Sequence, residues 1–464
     1  MIKLPSYKGQ SVAVFGLGRS GNSSARALME SGAEVVAWDD NEISRHQATA
    51  AGIPVADLAT SDWSGFSALI LSPGIPLDHP EPHPVVRLAR DNGVEIIGDI
   101  ELLARCQSRA RNIGITGTNG KSTTTALIGH ILSRAAESQV QVGGNLGVPV
   151  LDLEPIGEDG CYVLEMSSYQ LDLTHSLEYD VAVLLNLSPD HLDRHGDMAG
   201  YIAAKQRIFD RYESAVIGVD DEHCRAVLEK LKAGGKARLI AVSGCKTVPG
   251  GIYVKDGILY DDSETGPAEA IISMDKLPRL PGVHNAQNAA AAYATARLMG
   301  LQRQSIISGM GSFPGLAHRQ ELLAVIDGVT YVNDSKATNG EAAARALACY
   351  GDIFWIAGGR IKQGGIEATK PYLDRVRHAY LIGEAANDFA GTLETRVPVT
   401  VSGELSNALG EARQNALVET GVGAVVLLSP ACASFDQFEN FESRGEAFRD
   451  LVHALPGERR EVGT

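Results

Sequence analysis

The chain has 464 residues, 44% of them hydrophobic and 21% charged, a balance ordinary for globular proteins and, at about 150 residues per domain, a length that predicts roughly three domains. Its 41 basic and 57 acidic side chains leave a net charge of −16, which argues against nucleic-acid and anionic-membrane partners. The six cysteines (Cys106, Cys161, Cys224, Cys245, Cys349 and Cys432) form no C-x-x-C pair, so neither a zinc cluster nor a redox pair is expected.

The N-terminal MIKLPSYKGQ lacks the apolar core of a signal peptide, and no run approaches membrane-spanning length, so a soluble cytoplasmic protein is expected, with monomer as the default state. The first segment runs to about Gly98. Val12–Phe15 suits a strand, followed by Gly16-Leu-Gly18-Arg-Ser-Gly21 and a helix over Asn22–Glu30. A second strand, Val35–Trp38, ends at Asp39. Ala68–Leu71 precedes a turn at Ser72-Pro73-Gly74, then a helix over Pro84–Asp91 and a strand over Val94–Ile97. G-x-G-x-x-G with an acid about 20 residues on marks a nucleotide-binding α/β unit. It reports backbone room for a pyrophosphate and a carboxylate for sugar or base hydroxyls, so UDP would fit as well as NAD. The plainer alternative is glycines that merely let helix pack on strand.

The second segment, from about Asp99 to Phe313, contains NIGITGTNGKSTTTALIGHIL at 112–132. A short apolar strand leads into a turn, Gly117-Thr118-Asn119-Gly120, and then Lys121-Ser122-Thr123 opens a helix. Such a turn directs unpaired N–H groups and the positive helix end at one spot, where a lysine and two hydroxyls suit a polyphosphate and Mg²⁺. The general phosphate-loop pattern has four residues between its glycines and this one has two. ATP is nevertheless the expected ligand.

Further strands end in Glu165, followed by Met-Ser167-Ser168-Tyr-Gln170, and in Asn186-Leu-Ser-Pro-Asp190-His191-Leu-Asp193-Arg194-His195. Carboxyl ends of parallel strands line one crevice, so Glu165 and His191 should face the phosphate turn. Ala199–Tyr212 reads as a helix carrying Lys205, 250–280 as a small hairpin excursion, and Asn285 and Asn288 open an alanine-rich helix closed by Gly300. Taken as bare residues, Asn285 could equally be an N-cap, Lys205 an ordinary helix lysine, and Asp193 and His195 loop-surface groups.

The third segment, from about Gly315, repeats the pattern. Val329–Val332 leads into Asn333-Asp334-Ser-Lys336-Ala-Thr338-Asn339, Ile353–Ala357 into Gly358-Gly359-Arg-Ile361-Lys362, and Ala424–Leu428 into Ser-Pro-Ala-Cys-Ala-Ser434-Phe435. The expected fold class is α/β with three domains in series: a Rossmann-like unit over 1–98, a P-loop unit with a parallel sheet over 99–314, and a second Rossmann-like unit over 315–464.

GTNGKST at 117–123, EMSSYQL at 165–171, LNLSPDHLDRHG at 185–196 and GVHNAQNAAAA at 282–292 resemble the Mur ligases, a family that extends to folylpolyglutamate synthase and cyanophycin-type ligases. NDSKATN at 333–339 and LLSPACASFDQFENFESRG at 427–445 are similar to the members that add D-glutamate to UDP-N-acetylmuramoyl-L-alanine in peptidoglycan synthesis. The resemblance implies an ATP-dependent amide ligase working through an acyl phosphate. It implies that Ser122 and Glu165 hold one Mg²⁺ and His191 the other, with Lys205 carbamylated by CO₂ as a further oxygen ligand.

By the same resemblance Gly117 to Thr123, Asn285, Asn288, Arg319 and Asp334 contact ATP, with Lys336 near the transferred phosphate; His318 beside them reads as a structural histidine. Arg19, Ser20, Asp39, Ser72, Gly74, Asn145 and His191 contact the UDP-sugar. Thr338, Lys362, Ser434, Phe435 and Phe441 contact D-glutamate. Many relatives carry an acid just before the lysine of the GG-x-x-K turn, where this chain has Ile361. The competing classes are a Mur-type ligase for another amino acid such as L-glutamate, an NAD-dependent oxidoreductase built on Gly16–Gly21 and Asp39, and a P-loop kinase or ATPase. The oxidoreductase leaves the third segment without a task, and the kinase or ATPase, with flanking domains that bind partners, does not explain the motifs at 333–339 and 427–445.

Overall fold

The structure is a computed structural model that describes residues 1–107, 109–135, 139–235, 237–362, 364–419 and 423–460. Three sheets follow one another along the chain. The first is built from β1 (Ser11–Phe15), α1 (Arg19–Glu30), β2 (Glu34–Trp38), α2 (Glu42–Ala50), β3 (Phe66–Leu71), α3 (Pro84–Asp91) and β4 (Glu95–Ile97). Its strands lie in the order β2-β1-β3-β4, all parallel. Pro84 starts α3 where its missing N–H costs nothing, and the His83 ring accepts the Val85 amide at 3.2 Å.

The middle part contains α4 (Asp99–Cys106), β5 (Arg111–Thr116), α5 (Lys121–Ala135), β6 (Val140–Gly144), β7 (Cys161–Glu165), α6 (Ser168–Asp172), β8 (Tyr179–Leu184), α7 (Leu192–His195) and α8 (Met198–Gln206). After these come β9 (Tyr212–Gly218), α9 (Glu222–Gly234), β10 (Arg238–Ser243), β11 (Ile252–Lys255), β12 (Ile258–Asp261), β13 (Glu269–Ser273), α10 (Val283–Leu298) and α11 (Arg303–Gly311). The nine strands run β13-β12-β11-β10-β9-β8-β5-β7-β6. From β5 the chain goes first to β6 and β7 on one side and then to β8 on the other. The end of β5 is therefore the switch point of the sheet, where open α/β folds bind ligands.

Two expectations change here. The helix read over 199–212 stops at Gln206, followed by a 3-10 turn, because Tyr212 already begins the apolar run of β9. The excursion at 250–280 is three antiparallel strands rather than one hairpin, and it extends the main sheet at β10.

First and middle sheets fall in one compact unit, Met1–Lys276 with His284–Gly311. One apolar cluster explains this: Val12, Val14 and Leu28 of the first sheet, Ile100 and Leu103 of α4, and Leu164 and Leu184 of the middle sheet are all buried in it. Burial of each such side chain stabilises by about 1.5–3 kcal/mol, so the two sheets share this interior, while Phe15, Leu69 and Val86 pack in a second cluster on the other face of the first sheet.

The second unit, Leu277–Val283 with the chain from Ser312 onward, holds β14 (Glu321–Ile326), β15 (Val329–Asn333), α12 (Gly340–Leu347), β16 (Ile353–Gly358), β17 (Val376–Ile382), α13 (Ala386–Leu393), β18 (Val399–Gly403), α14 (Leu405–Glu419), β19 (Val425–Leu428), α15 (Phe441–Ala454) and β20 (Arg459–Arg460). Its order is β18-β17-β16-β19-β15-β14-β20, with β14 antiparallel to both neighbours. The strands β16, β19 and β15 are adjacent, so the three polar loops that follow them share one edge. No described helix is long and apolar enough to cross a membrane.

Candidate active site

The turn between β5 and α5 is shaped by close backbone approach. Gly117 and Gly120 have φ of 152° and 84°, and a Cβ on Gly120 would stand 2.2 Å from Asn288 Oδ1. Asn288, on α10, thus lies against the turn and donates to Asn285 Oδ1 at 2.9 Å. Asn285 is the third residue of α10, so it is not the helix N-cap. From the β8 end, Asn186 receives the Thr118 amide on its carbonyl (2.8 Å) and the Asn119 amide on Oδ1 (2.9 Å). Lys121 Nζ donates to the Gly117 and Thr118 carbonyls, both at 2.9 Å. Ser122 is buried and Thr123 half-buried on the first turn of α5.

Glu165 ends β7 one strand away, in register with Ile115. It is 2% exposed. Its Oε1 accepts from Asn145 Nδ2 at 2.7 Å, while its buried Oε2 has no hydrogen-bond partner. The turn carrying Asn145 wraps this residue, since a Cβ on Gly144 would meet the Glu165 carbonyl at 2.3 Å. An anionic oxygen left unsatisfied at this depth is a place for a cation. No three His, Cys, Asp or Glu side chains converge among the described residues. A divalent ion held by Ser122 and Glu165 would therefore keep several waters, the habit of Mg²⁺.

Lys205 lies beneath the same turn, 2% exposed, and donates to Thr116 Oγ1 at 3.2 Å and to the Gly117 carbonyl at 2.9 Å. Burial, then repulsion from Lys121, brings its pKa down to about 7. A buried lysine that is partly neutral near pH 7 has a free lone pair, which CO₂ addition requires.

His191 is half exposed and left-handed, with φ 52°. Its ring lies 5.2 Å from that of Tyr169. Tyr169 also stacks on His195 at 5.3 Å and carries the Arg194 guanidinium 4.7 Å from its ring centre. His195 is no loop-surface group: it is 8% exposed and shares a 2.9 Å hydrogen bond between Nε2 and Ser168 Oγ. Burial, aided by neighbouring cations, lowers its pKa to about 4, so the ring is neutral. Asp193 is on the surface.

In the first sheet the glycine turn is tight, because a Cβ on Gly21 would stand 1.8 Å from the Gly16 carbonyl. Ser72 donates to that carbonyl at 2.6 Å, and Asp39 accepts the Leu17 and Asn41 amides at 2.5 and 2.7 Å. Both residues thus brace the turn. Arg19 is exposed and donates to the Gly147 carbonyl. Ser20 lies beside the buried Asp99, and Gly74 accepts from Arg194 at 2.7 Å.

In the second unit the loops after β16 and β19 are joined by backbone bonds, Arg360 to Ala433 at 2.8 Å and Ala433 to Arg360 at 3.0 Å. Lys362 Nζ reaches Thr338 Oγ1 at 3.3 Å, so Thr338 orients it where Ile361 offers no acid. Ser434 is buried, Phe435 is 63% exposed, and Lys336 Nζ lies 3.7 Å from the centre of the Phe441 ring. Asp334 accepts from Ser429 Oγ at 2.8 Å and from the Gln320 amide at 3.1 Å, and burial raises its pKa to about 7. Arg319 is exposed next to it. His318 is buried beside Asn333, 3.0 Å away, and against Gly445, which suits a structural group.

Sequence reasoning missed one network. Gln287 joins Asn186 at 3.1 Å to Asp220 at 3.0 Å, and Tyr201 meets Thr118 Oγ1 at 3.1 Å. Asn186 directly follows a strand in the crevice, a signal that could have found it.

A polyphosphate turn at a switch point, a buried acid with a free oxygen beside it and a second α/β unit with its own polar edge are the parts of an ATP-using ligase. The chain matches the Mur ligase middle domain over residues 115–296 and the Mur ligase MurD-like N-terminal domain over residues 10–98, and it belongs to the Mur ligase family. It is 52% identical to the UDP-N-acetylmuramoylalanine--D-glutamate ligase of Caulobacter sp. (strain K31), covering 98% of each chain. It is 50% identical to the protein of that name from Rhodospirillum rubrum, covering 99% of each.

Among solved structures it resembles the UDP-N-acetylmuramate-alanine ligase MurC of Thermotoga maritima (TM-score 0.59, 15% identity, 96% of this chain and 99% of that one). It also resembles the MurF ligase of the same organism in complex with ADP (TM-score 0.55, 17% identity, 98% and 97%). These last two speak for the three-domain fold. The dehydrogenase and kinase alternatives fall with the family assignment.

Proposed function

We propose that this chain joins D-glutamate to UDP-N-acetylmuramoyl-L-alanine, with ATP converted to ADP and phosphate, in the cytoplasmic assembly of peptidoglycan, and that it acts as a monomer. The carrying observation is identity of about half over nearly the whole length to relatives of that name, joined to a site whose groups suit each step. We assign the domains to 1–98, 99–314 and 315–464.

Arg19, Ser20, Asp39, Ser72, Gly74 and Asn145 hold the UDP-sugar. Gly117 to Thr123, Asn285, Asn288, Arg319 and Asp334 hold ATP. Ser122 and Glu165 would hold one Mg²⁺, and His191 with carbamylated Lys205 a second. The metal supplies charge neutralisation where a carboxylate must approach a triphosphate. Lys121 and the dipole of α5 add positive charge at the same point.

The alanine carboxylate of the UDP-sugar attacks the γ-phosphorus. The bond from that phosphorus to the bridging oxygen breaks, and ADP leaves. The product is an acyl phosphate, with Lys336 beside the transferred group. Thr338, Lys362, Ser434, Phe435 and Phe441 hold D-glutamate so that its unprotonated amine attacks the acyl carbon. The attacking nitrogen gives up a proton to solvent, and the tetrahedral species collapses by releasing phosphate, which carries away one former carboxylate oxygen. Incubation with ATP, the UDP-sugar and either D- or L-glutamate, followed by mass analysis, tests the assignment. An adduct with D-glutamate alone is expected, and an L-glutamate adduct would redirect the specificity.

A further inference from the structure

Arg444 is the most deeply buried cation of the second unit, at 1% exposure, and no step above uses it. Nε donates to Ser335 Oγ at 3.0 Å, and Nη2 donates to the Ser335 carbonyl at 2.9 Å and the Cys432 carbonyl at 3.0 Å. Its partners among the described residues are thus one hydroxyl and two carbonyls, with no carboxylate. Nη1 is buried without a partner, and a Cβ on Gly359 would lie 3.1 Å from it. A buried charge with no hydrogen-bonded carboxylate is costly, and burial pulls the pKa of this guanidinium down to about 10 against the opposing attraction of Asp436.

The surroundings point to what offsets that cost. Each partner belongs to a loop at the edge assigned to the amino acid. Ser335 precedes Lys336 and Thr338, and its hydroxyl donates to the Phe441 carbonyl at 2.8 Å. Cys432 lies two residues before Ser434, next to Ala431, whose φ of 58° is strained for a residue with a Cβ. Gly359 opens the turn that carries Lys362. Arg444 itself sits one turn into α15, which Phe441 begins. One guanidinium therefore ties together the loops after β15 and β19 and presses its unpartnered nitrogen toward the loop after β16.

We propose that Arg444 is a specificity-determining positioning residue for the incoming amino acid: its fork fixes Ser434 and Phe441 against the Ser335–Thr338 turn, and its buried charge, which no hydrogen-bonded carboxylate offsets, favours a substrate with a second carboxylate. The inference rests on the amino-acid site proposed above. A dicarboxylic amino acid adds a further negative charge at the edge this buried cation ties together, whereas the corresponding amide does not. Because the guanidinium is buried, salt screens the effect little.

The test uses full-length enzyme with Arg444→Met and Arg444→Lys, with KM measured separately for D-glutamate, ATP and the UDP-sugar, and with D-glutamine as the uncharged comparator. For Arg444→Met the expected result is a rise of tenfold or more in KM for D-glutamate, changes under threefold for the other two substrates, and a weaker preference for D-glutamate over D-glutamine. Arg444→Lys, which keeps the charge but not the fork, should retain most of that preference with an intermediate KM.

Wild-type KM and preference in a folded Arg444→Met, or an equal rise in all three KM values, would overturn the inference. If Arg444→Met does not fold, Arg444→Lys decides: a rise confined to D-glutamate supports the inference and an unchanged KM overturns it. Failure of both to fold would make Arg444 a group of the fold alone and also overturns it. Wild-type enzyme that makes no adduct with D-glutamate would defeat the functional assignment instead, so the two failures are distinguishable.

Discussion

Lys205 and His195 show how burial decides what a residue can do. Lys205, with its pKa near 7 and its ammonium on the Thr116 hydroxyl and the Gly117 carbonyl, is the residue proposed to become an oxygen ligand once carbamylated. Lys205→Ala should lower turnover by roughly 10²-fold, the scale of losing support to a metal site, and formate or acetate should restore part of it. Full activity in the alanine variant would remove the carbamate from the mechanism.

His195 and Asp172 make a prediction of opposite signs. The folded pKa of His195 is about 4, below its ordinary value. The stability it contributes is therefore complete above about 6.5 and is lost as pH falls through about 4. Asp172 is raised to about 6, chiefly by burial. Its contribution is present at low pH and is lost as pH rises through that value. Melting curves between pH 4 and 6.5 should flatten for His195→Gln and steepen on the acid side for Asp172→Asn. Parallel curves for both variants would contradict this.

At the scale of elements, the β5–α5 turn is the most constrained segment. Gly120→Ala must place a methyl 2.2 Å from Asn288 Oδ1 at a φ of 84°. Such strain costs on the order of 1–3 kcal/mol. ATP-dependent turnover should fall at least tenfold, with the melting temperature lowered by a few degrees, and wild-type kinetics would show that the turn has slack. The turn was legible in the sequence because glycine spacing, Lys121 and the following helix are all local. So were the strands that end in Glu165, Asn333 and Leu428, each an apolar run closed by a polar motif. What stayed hidden depends on distant partners. The meander after β10, the antiparallel β14 and the end of α8 at Gln206 are set by sheet pairing rather than by local pattern. His195 looked like a surface residue because Asp193 and Arg194 flank it, and the rings of Tyr169 and Tyr201 and the Ser168 hydroxyl, none of them adjacent in sequence, pack against it.

At the scale of the molecule, the three sheets are not three equal bodies. The first and middle sheets share one apolar cluster, and the chain from Ser312 belongs to another unit. A fragment ending at Gly311 should therefore unfold in one cooperative transition in a calorimeter. Two separated transitions in that fragment would mean the first sheet is stable alone. The fragment should also bind the UDP-sugar yet form no amide, because every residue assigned to D-glutamate lies beyond it.

The central claim is that the UDP-sugar's carboxylate is activated as an acyl phosphate before the amine arrives. The direct measurement uses UDP-N-acetylmuramoyl-L-alanine labelled with ¹⁸O in both oxygens of the alanine carboxylate, followed through one round of ligation with D-glutamate and ATP. One labelled oxygen is expected in the released phosphate and the other in the new amide. Unlabelled phosphate, accompanied by amide formation or by ATP hydrolysis that needs neither substrate, would contradict it.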